Sequence, residues 1–337
     1  MRAINYDDGQ LTLLDQTKLP TETVYKTYES VEEVARAIEE MVVRGAPAIG
    51  ITAAYGTVIG ARKFVSGDFK VYMQKVIKRL WHTRPTAVNL HWALERMEQI
   101  ITDDVDDSIQ LLEQEARLIE AEDTDINLAI GNTLKHLVQD KTAFLIHCNP
   151  GRLATSDYGT ATAPFYLAHE AGVKFKVYSD ETRPRLQGAL TAYELSDAGI
   201  DVTVITDSTA ATLMQQGKIT AVFVGCDRVA ANGDVVNKIG TLPLAIAAQY
   251  YGVPFYVAAP TPTFDLKVAN GADIPIEERH ASEVTHLAGQ SLTSVQSVYN
   301  PAFDVTPHEL ITALATEHGL IEASQEAIEE LFRKGER

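Results

Sequence analysis

The sequence predicts an α/β protein in two parts: a mostly helical N-terminal portion carrying a small β-sheet, then a portion built on a mainly parallel sheet. Three observations predict it. Short β-like runs occupy the N-terminal segment, periodic helical patterns follow as far as about residue 138, and strand-like runs alternate with helical patterns from Thr142 onward. Such alternation argues for a parallel sheet of right-handed β-α-β units. The domains are accordingly drawn as 1–138 and 139–337.

The β-like runs of the first part are Ala3–Tyr6, Leu11–Leu14 and Val24–Tyr28, with the hairpin dipeptide Asp8-Gly9 between the first two. Ser30 followed by Glu33 forms a capping box, and apolar residues recur at Val34, Ala37, Ile38, Met41 and Val42. That helix should end near Arg44-Gly45, because Pro47 disfavours helical geometry at Ala46. A second helix is expected over Ala48–Phe64 and a third over Thr86–Ile101. A long acidic helix or helix pair should cover Ser108–Val138. In the second part the strand-like runs are Ala143–Ile146, Phe175–Tyr178, Val202–Ile205, Ala221–Val224 and Phe255–Ala258. A last helix starts at Gln325 and runs toward Arg337.

Composition narrows the function. The net charge of -17 argues against nonspecific nucleic-acid binding, which needs a basic surface. An anionic ligand would need a locally positive pocket. Two cysteines make no disulfide framework. The start MRAINYDDGQ lacks the basic and apolar regions of a signal peptide. The uncharged stretch Ala46–Ala61 falls short of the roughly 20 residues a membrane helix needs. The expectation is a cytoplasmic protein with no membrane association. No two glycines are two residues apart, so the dinucleotide fingerprint is absent. A Walker loop, an HExxH motif, a Gly-x-Ser-x-Gly elbow and metal-ligand spacing are absent too. A reaction without cofactor or metal fits best.

Two strand ends stand out. The run TAFLIH leads into Cys148-Asn149-Pro150-Gly151, and AVFVG leads into Cys226-Asp227-Arg228, followed by a turn at Asn232-Gly233 and then Asn237-Lys238. Ligands of open α/β sheets bind outside the carboxyl ends of the strands. Cys148 reads either as a small core residue or as a thiol whose pKa a nearby helix start lowers. Asp227 reads either as a surface turn residue or as a partly desolvated carboxyl that can keep a proton. Cys226 reads as packing. His147 points to the opposite face from Cys148 by strand alternation, so adjacency makes no Cys-His pair. Arg44-Gly45-Ala46 and Arg84 each precede an expected helix, where free N–H groups and a guanidinium suit phosphate, and Lys238 adds a third positive charge. Gln187, at a strand-loop-helix turn, suits sugar hydroxyls.

Together these segments resemble methylthioribose-1-phosphate isomerase and its wider family, which also holds ribose-1,5-bisphosphate isomerases and regulatory subunits of translation initiation factor 2B. The matching blocks span nearly the whole chain. They are RGAPAIGITAAYG from Arg44, RPTAVNL from Arg84, HCNPGRLAT from His147, DETRPRLQG from Asp180, GCDRVAANGDVVNKIGT from Gly225, IPIEER from Ile274 and NPAFDVTP from Asn300. The resemblance implies a Rossmann-like second domain and a homodimer. It implies catalysis by Cys148 and Asp227, with substrate bound at Arg44, Gly45, Ala46, Arg84, Gln187, Asn237 and Lys238. One departure is Gln187-Gly188-Ala189-Leu190-Thr191, which lacks an arginine the family usually carries there.

The implied substrate is a phosphorylated sugar, S-methyl-5-thio-ribose 1-phosphate, converted to its ribulose isomer in methionine salvage. Asp227 would give a proton to the ring oxygen while Cys148 takes one from carbon 2; hydride transfer is the rival route. Isomerisation of 5-deoxyribose 1-phosphate or ribose 1,5-bisphosphate is the near alternative. A non-catalytic regulatory subunit is the alternative of another class.

Overall fold

The computed structural model describes residues 2–84, 87–287, 289–295 and 297–335. Pro85, Thr86 and the last two residues, on which parts of the expected third and last helices fall, lie outside them. The chain divides into two units, the first holding residues 1–128 and 151–159, the second 129–150 and 160–337. The division falls inside a helix, and the first unit takes in the short segment that follows the first strand of the second.

In the first unit β1 (Ile4–Asp7), β2 (Gln10–Leu14) and β3 (Tyr25–Tyr28) form an antiparallel sheet in sequence order. Asp8 and Gly9, at φ 44° and 81°, supply the left-handed pair a tight hairpin needs. Helix α1 (Val31–Glu39) carries the expected capping box, with Ser30 accepting from the Glu33 amide. It ends earlier than expected. Met41 turns left-handed at φ 61°, and the Val42 amide donates back to the Ala37 carbonyl, a C-terminal cap that needs no proline.

Helix α2 (Ala46–Arg62) begins two residues before the expected start, because Pro47 in the first turn has no amide to leave unpaired. It is apolar on all sides and therefore buried. Its glycines admit neighbours closely: a Cβ on Gly60 would fall 2.6 Å from Val76 Cγ1, and one on Gly50 would fall 2.8 Å from the Asn89 carbonyl oxygen. Helix α3 (Phe69–Trp81) was not anticipated from the sequence. It is capped by Asp68 and buries Phe69, Met73, Val76, Ile77 and Leu80. Helix α4 (Val88–Gln99) follows, and the acidic segment is one continuous helix, α5 (Val105–Lys135), not a pair.

The second unit is organised by a seven-stranded sheet. Its strands are β4 (Ala143–Ile146), β5 (Lys176–Asp180), β6 (Val202–Ile205), β7 (Ala221–Val224), β10 (Phe255–Ala258), β15 (Ala313–Thr316) and β16 (Gly319–Ile321). Their order across the sheet is β16-β15-β10-β7-β4-β5-β6. All neighbours are parallel except β15 and β16. Helices α6 (Ala163–Glu170), α7 (Gln187–Asp197), α8 (Ala210–Gln215) and α9 (Thr241–Tyr251) connect successive strands. The sheet is Rossmann-like: the chain starts in the middle at β4, winds outward to β6, then returns to the other side of β4 at β7.

A second sheet interrupts the crossover after β7. Strands β8 (Arg228–Ala230) and β9 (Val235–Lys238) form the hairpin signalled by Asn232-Gly233, with Gly233 at φ 93°. Strands β11 (Phe264–Asp265) and β14 (Phe303–Thr306) flank them in the order β11-β8-β9-β14. A minor excursion holds α10 (Ser282–Thr285), β12 (His286–Leu287) and β13 (Gln290–Ser291), and the described chain closes with α11 (Gln325–Gly335). Phe144, Phe165 and Phe223 are wholly buried; Phe165 stacks on Phe223 and Phe144 packs tilted against both, each contributing about 1.5–3 kcal/mol by burial.

Candidate active site

The chain reverses its winding direction between β4 and β7, and a crevice forms at such a point outside the strand ends. The two strands pair in parallel with Ile146 opposite Phe223. Cys148 follows β4 by two residues and Asp227 follows β7 by three. Their loops approach closely: a Cβ on Gly225 would lie 3.0 Å from Pro150 Cβ and 3.2 Å from Thr160 Oγ1.

Cys148 is half-buried and adopts φ 66°, a left-handed conformation that a residue with a β-carbon takes only at a cost of order 1–3 kcal/mol. Threonines hold it there. The Cys148 amide donates to Thr182 Oγ1 at 2.9 Å, and the Thr191 hydroxyl donates to the Cys148 carbonyl at 2.7 Å. The next residue is fixed as firmly, since Asn149 Nδ2 donates to Thr191 Oγ1 and to Glu194 Oε1, each at 3.0 Å. Sequence reasoning missed Thr182, Thr191 and Glu194; the only signal was their position just past the end of β5 and in the helix after it.

Asp227 is half-buried, and its amide donates to the Val236 carbonyl at 2.9 Å. That bond ties it to β9, which ends in Asn237 and Lys238. Both are buried. Asn237 Nδ2 donates to Thr241 Oγ1 at 3.1 Å, while Lys238 Nζ donates to the Ala302 carbonyl at 2.8 Å and stands 4.4 Å from the Phe303 ring centre. Gln187 opens α7 behind the left-handed Leu186. Its Oε1 is buried and has no hydrogen-bond partner among the described residues. Gly188 beside it is obligatory: a Cβ there would fall 1.5 Å from the Asp180 carbonyl oxygen.

Cys226 is the packing residue expected. Its Sγ contacts the Ala258 carbonyl at 3.6 Å and Thr263 Oγ1 at 3.4 Å, and burial pushes its thiol up to about 12. His147 is also buried, and its ring meets Asp180 and the Ile239 carbonyl rather than Cys148.

Arg44, Gly45, Ala46 and Arg84 belong to the first unit; Cys148, Gln187, Asp227, Asn237 and Lys238 belong to the second. Arg44 Nη2 donates to the Gln16 carbonyl at 3.3 Å. Gly45 caps α2 at φ 96°, and a Cβ there would meet the Ala154 Cβ at 2.4 Å, so only glycine fits. Ala46 is the first residue of α2, and Arg84 is half-buried in the turn before α4.

Two groups of side chains among the described residues have ligand atoms close enough for a cation: His147, Asp180 and Asp207, and Asp234, His308 and Glu309. Protein bonds already engage them. Asp207 accepts from the amides of Thr182 and Arg183, and Asp234 accepts from the amides of Gly271 and His308.

A doubly wound, mostly parallel sheet with a small antiparallel sheet before it defines the class: an α/β protein with a Rossmann-like sheet. The profile of the initiation factor 2 subunit family matches residues 42–323. A Bacillus cereus protein described as 5-deoxyribose 1-phosphate isomerase is 56% identical over 98% of both chains. A Clostridium botulinum protein of the same description is 52% identical over 98% of this chain and 99% of its own. The crystal structure of 5-methylthioribose 1-phosphate isomerase from Pyrococcus horikoshii superposes with a TM-score of 0.93 at 40% identity, covering 98% of this chain and 96% of that one. That of translation initiation factor eIF-2B, subunit delta, from A. fulgidus gives 0.89 at 40% identity, covering 99% of each. The chain belongs to the initiation factor 2 subunit family and, within it, is an enzyme, an isomerase.

Proposed function

We propose that the enzyme converts 5-deoxyribose 1-phosphate to the corresponding ribulose 1-phosphate, with Cys148 and Asp227 as its acid–base pair. The observation that carries the catalytic assignment is the placement of both residues past the ends of adjacent parallel strands, on either side of the switch point. The relatives at 52–56% identity support the 5-deoxy substrate over the methylthio compound favoured by the block resemblance. The Pyrococcus structure, at 40% identity, keeps 5-methylthioribose 1-phosphate, and with it methionine salvage, as the second reading.

A furanose with phosphate on its anomeric oxygen has no free aldehyde form. Ring opening and isomerisation must therefore proceed together. Asp227 protonates the ring oxygen as its bond to carbon 1 breaks, and Cys148 thiolate removes the proton from carbon 2. An enol phosphate results, with a double bond between carbons 1 and 2. Cys148 returns its proton to carbon 1, and the hydroxyl proton on carbon 2 passes to Asp227, leaving a ketone and restoring both groups. A free thiol is only a few per cent thiolate at neutral pH, so this step needs a site that stabilises the anion. Lys238 takes the phosphate and Gln187 and Asn237 take hydroxyls, and the family blocks assign substrate binding also to Arg44, Gly45, Ala46 and Arg84. Gln187 Oε1, buried with no described partner, supports that role.

Turnover of the purified protein with 5-deoxyribose 1-phosphate, 5-methylthioribose 1-phosphate and ribose 1,5-bisphosphate tests the substrate. A kcat/KM highest for the first is expected; a preference for the second installs the second reading. Inactivity toward all three defeats both and favours the regulatory-subunit alternative. Solvent deuterium at carbon 1 of the product is expected from the proton route.

The enzyme further acts in the cytoplasm as a homodimer on this reading. Among the described residues no helix is long and apolar enough to cross a membrane. Helix α9 exposes Pro243, Ile246 and Tyr250, the last 81% exposed, a face suited to a second copy. Light scattering should give twice the chain mass, and Tyr250→Asp should lower it.

A further inference from the structure

The acid–base scheme leaves one buried ionisable pair unused. His147 and Asp180 are each 1% exposed. The imidazole Nδ1 lies 3.0 Å from Asp180 Oδ2, and Nε2 lies 2.9 Å from the carbonyl oxygen of Ile239. A carbonyl oxygen only accepts, so Nε2 must carry a proton. The contact with Asp180 holds one more proton between ring and carboxyl. The ring is thus fastened at both ends, to β5 on one side and to the turn between β9 and α9 on the other. Gly240 in that turn is at φ 104°, and a Cβ there would fall 2.7 Å from His147 Cε1, so the turn rests directly against the ring. Cys148 follows His147 in the chain, and Ile239 follows Asn237 and Lys238. One side chain therefore couples the backbone bearing the thiol to the backbone bearing two expected substrate ligands.

We propose that His147, oriented by Asp180, is a positioning residue for the isomerisation, fixing the distance between Cys148 and the Asn237–Lys238 strand end. The proposal rests on the reading of Cys148 as the proton acceptor. The groups facing the ring are Asp180 at the end of β5, Asp207 after β6 and Asp304 on β14, with Lys238 acting on Asp304. Burial opposes the imidazolium, but the bonds to Asp180 and Ile239 and the nearby carboxylates outweigh it, and the pKa of His147 is raised. Burial likewise pushes Asp180 up to about 6. Both shifts run toward keeping a proton on the pair.

The test compares His147→Leu, which fills the space without donors, with His147→Gln, whose amide can still donate to the Ile239 carbonyl. A displacement of catalytic groups by about 1 Å can cost on the order of 100-fold, so His147→Leu should lose about that much kcat and His147→Gln should regain at least about tenfold. Equal rates in the two variants, fast or slow, would overturn the proposal, because generic packing does not discriminate by hydrogen bond. Nitrogen-15 spectra of the unaltered protein give a measurement independent of variant folding: Nε2 should stay protonated from about pH 6 to pH 8. A bare Nε2 in that range would overturn it as well. Cys148→Ser run alongside separates the two readings. Loss of turnover there with near-normal rates in His147→Leu sinks the positioning role alone; retained turnover there sinks the thiol assignment itself.

Discussion

The ends of β4 and β7 look alike in sequence, each an apolar strand running into a cysteine, yet the fold treats the two thiols oppositely. Cys148 is lifted into a left-handed backbone and held by Thr182 and Thr191 through its main chain, which leaves side-chain placement to the loop. Cys226, partly buried, turns its sulfur onto the Ala258 carbonyl and the Thr263 hydroxyl, against the core of the sheet. At β7 the next residue, half-buried Asp227, is secured to β9 by a backbone bond. On the proposed assignment of Cys148, the backbone angle and the neighbours a strand-end cysteine meets, not the apolar run before it, separate the two thiols.

The largest test of that contrast is catalytic. Cys148→Ser and Asp227→Asn should each lower kcat by about 10²–10⁴-fold with the fold retained, measured by turnover alongside circular dichroism. Near-normal rates in either variant would remove that residue from the acid–base pair. A second comparison sets Gly188 in the first turn of α7 against Gly225 in the loop after β7. Gly188→Ala drives a methyl into the Asp180 carbonyl oxygen and should cost about 3 kcal/mol in urea unfolding. Gly225→Ala meets Pro150 and Thr160 at 3.0–3.2 Å and should cost about 1 kcal/mol. Equal losses would mean that the β5 loop yields more readily than its packing implies.

Alkylation sharpens the thiol contrast further. Iodoacetamide should modify Cys148 readily, while Cys226, pushed up to about 12 by burial, should react only in strongly alkaline solution. The sign follows from linkage. A thiol whose folded pKa is raised above its ordinary 9.0 contributes stability below that value and loses it as pH climbs toward 12. Mass spectrometry of Cys148→Ser isolates the Cys226 reaction, and rapid labelling near neutral pH would contradict the upward shift of its thiol. The smallest effect belongs to Cys226→Ala, which should leave turnover within about threefold of the parent and cost about 1 kcal/mol of stability. A collapse of turnover in that variant would place Cys226 in the chemistry and end the contrast.

Much of this was legible before any fold was known. The capping box at Ser30 and Glu33, the turns at Asp8-Gly9 and Asn232-Gly233, and the strands ending at Ile146 and Val224 all rest on residues within a few positions of one another. Local chemistry therefore determined them: a hydroxyl reaching an amide in the next turn, a glycine accepting positive φ, an apolar run that must be covered on both faces. Helix α3 carries the same signals, in the Asp68 cap and the spacing of Phe69, Met73, Val76 and Leu80. The two-residue strand β11 offers no period long enough to detect.

The site was legible as residue types and positions, not as an arrangement. Only the tertiary structure put β7 beside β4, and with it Cys148 and Asp227 on either side of one switch point. Only it turned Cys148 left-handed, brought Thr182 and Thr191 onto its backbone, and gave His147 its partners in Asp180 and Ile239. Those partners lie 33 to 92 residues away along the chain. The periodicity that predicts a strand records which face is buried and says nothing about which distant strand lies next to it. Strand order is settled by the packing of the whole sheet, and the hydrogen bonds that orient the strand-end residues exist only after that order is set.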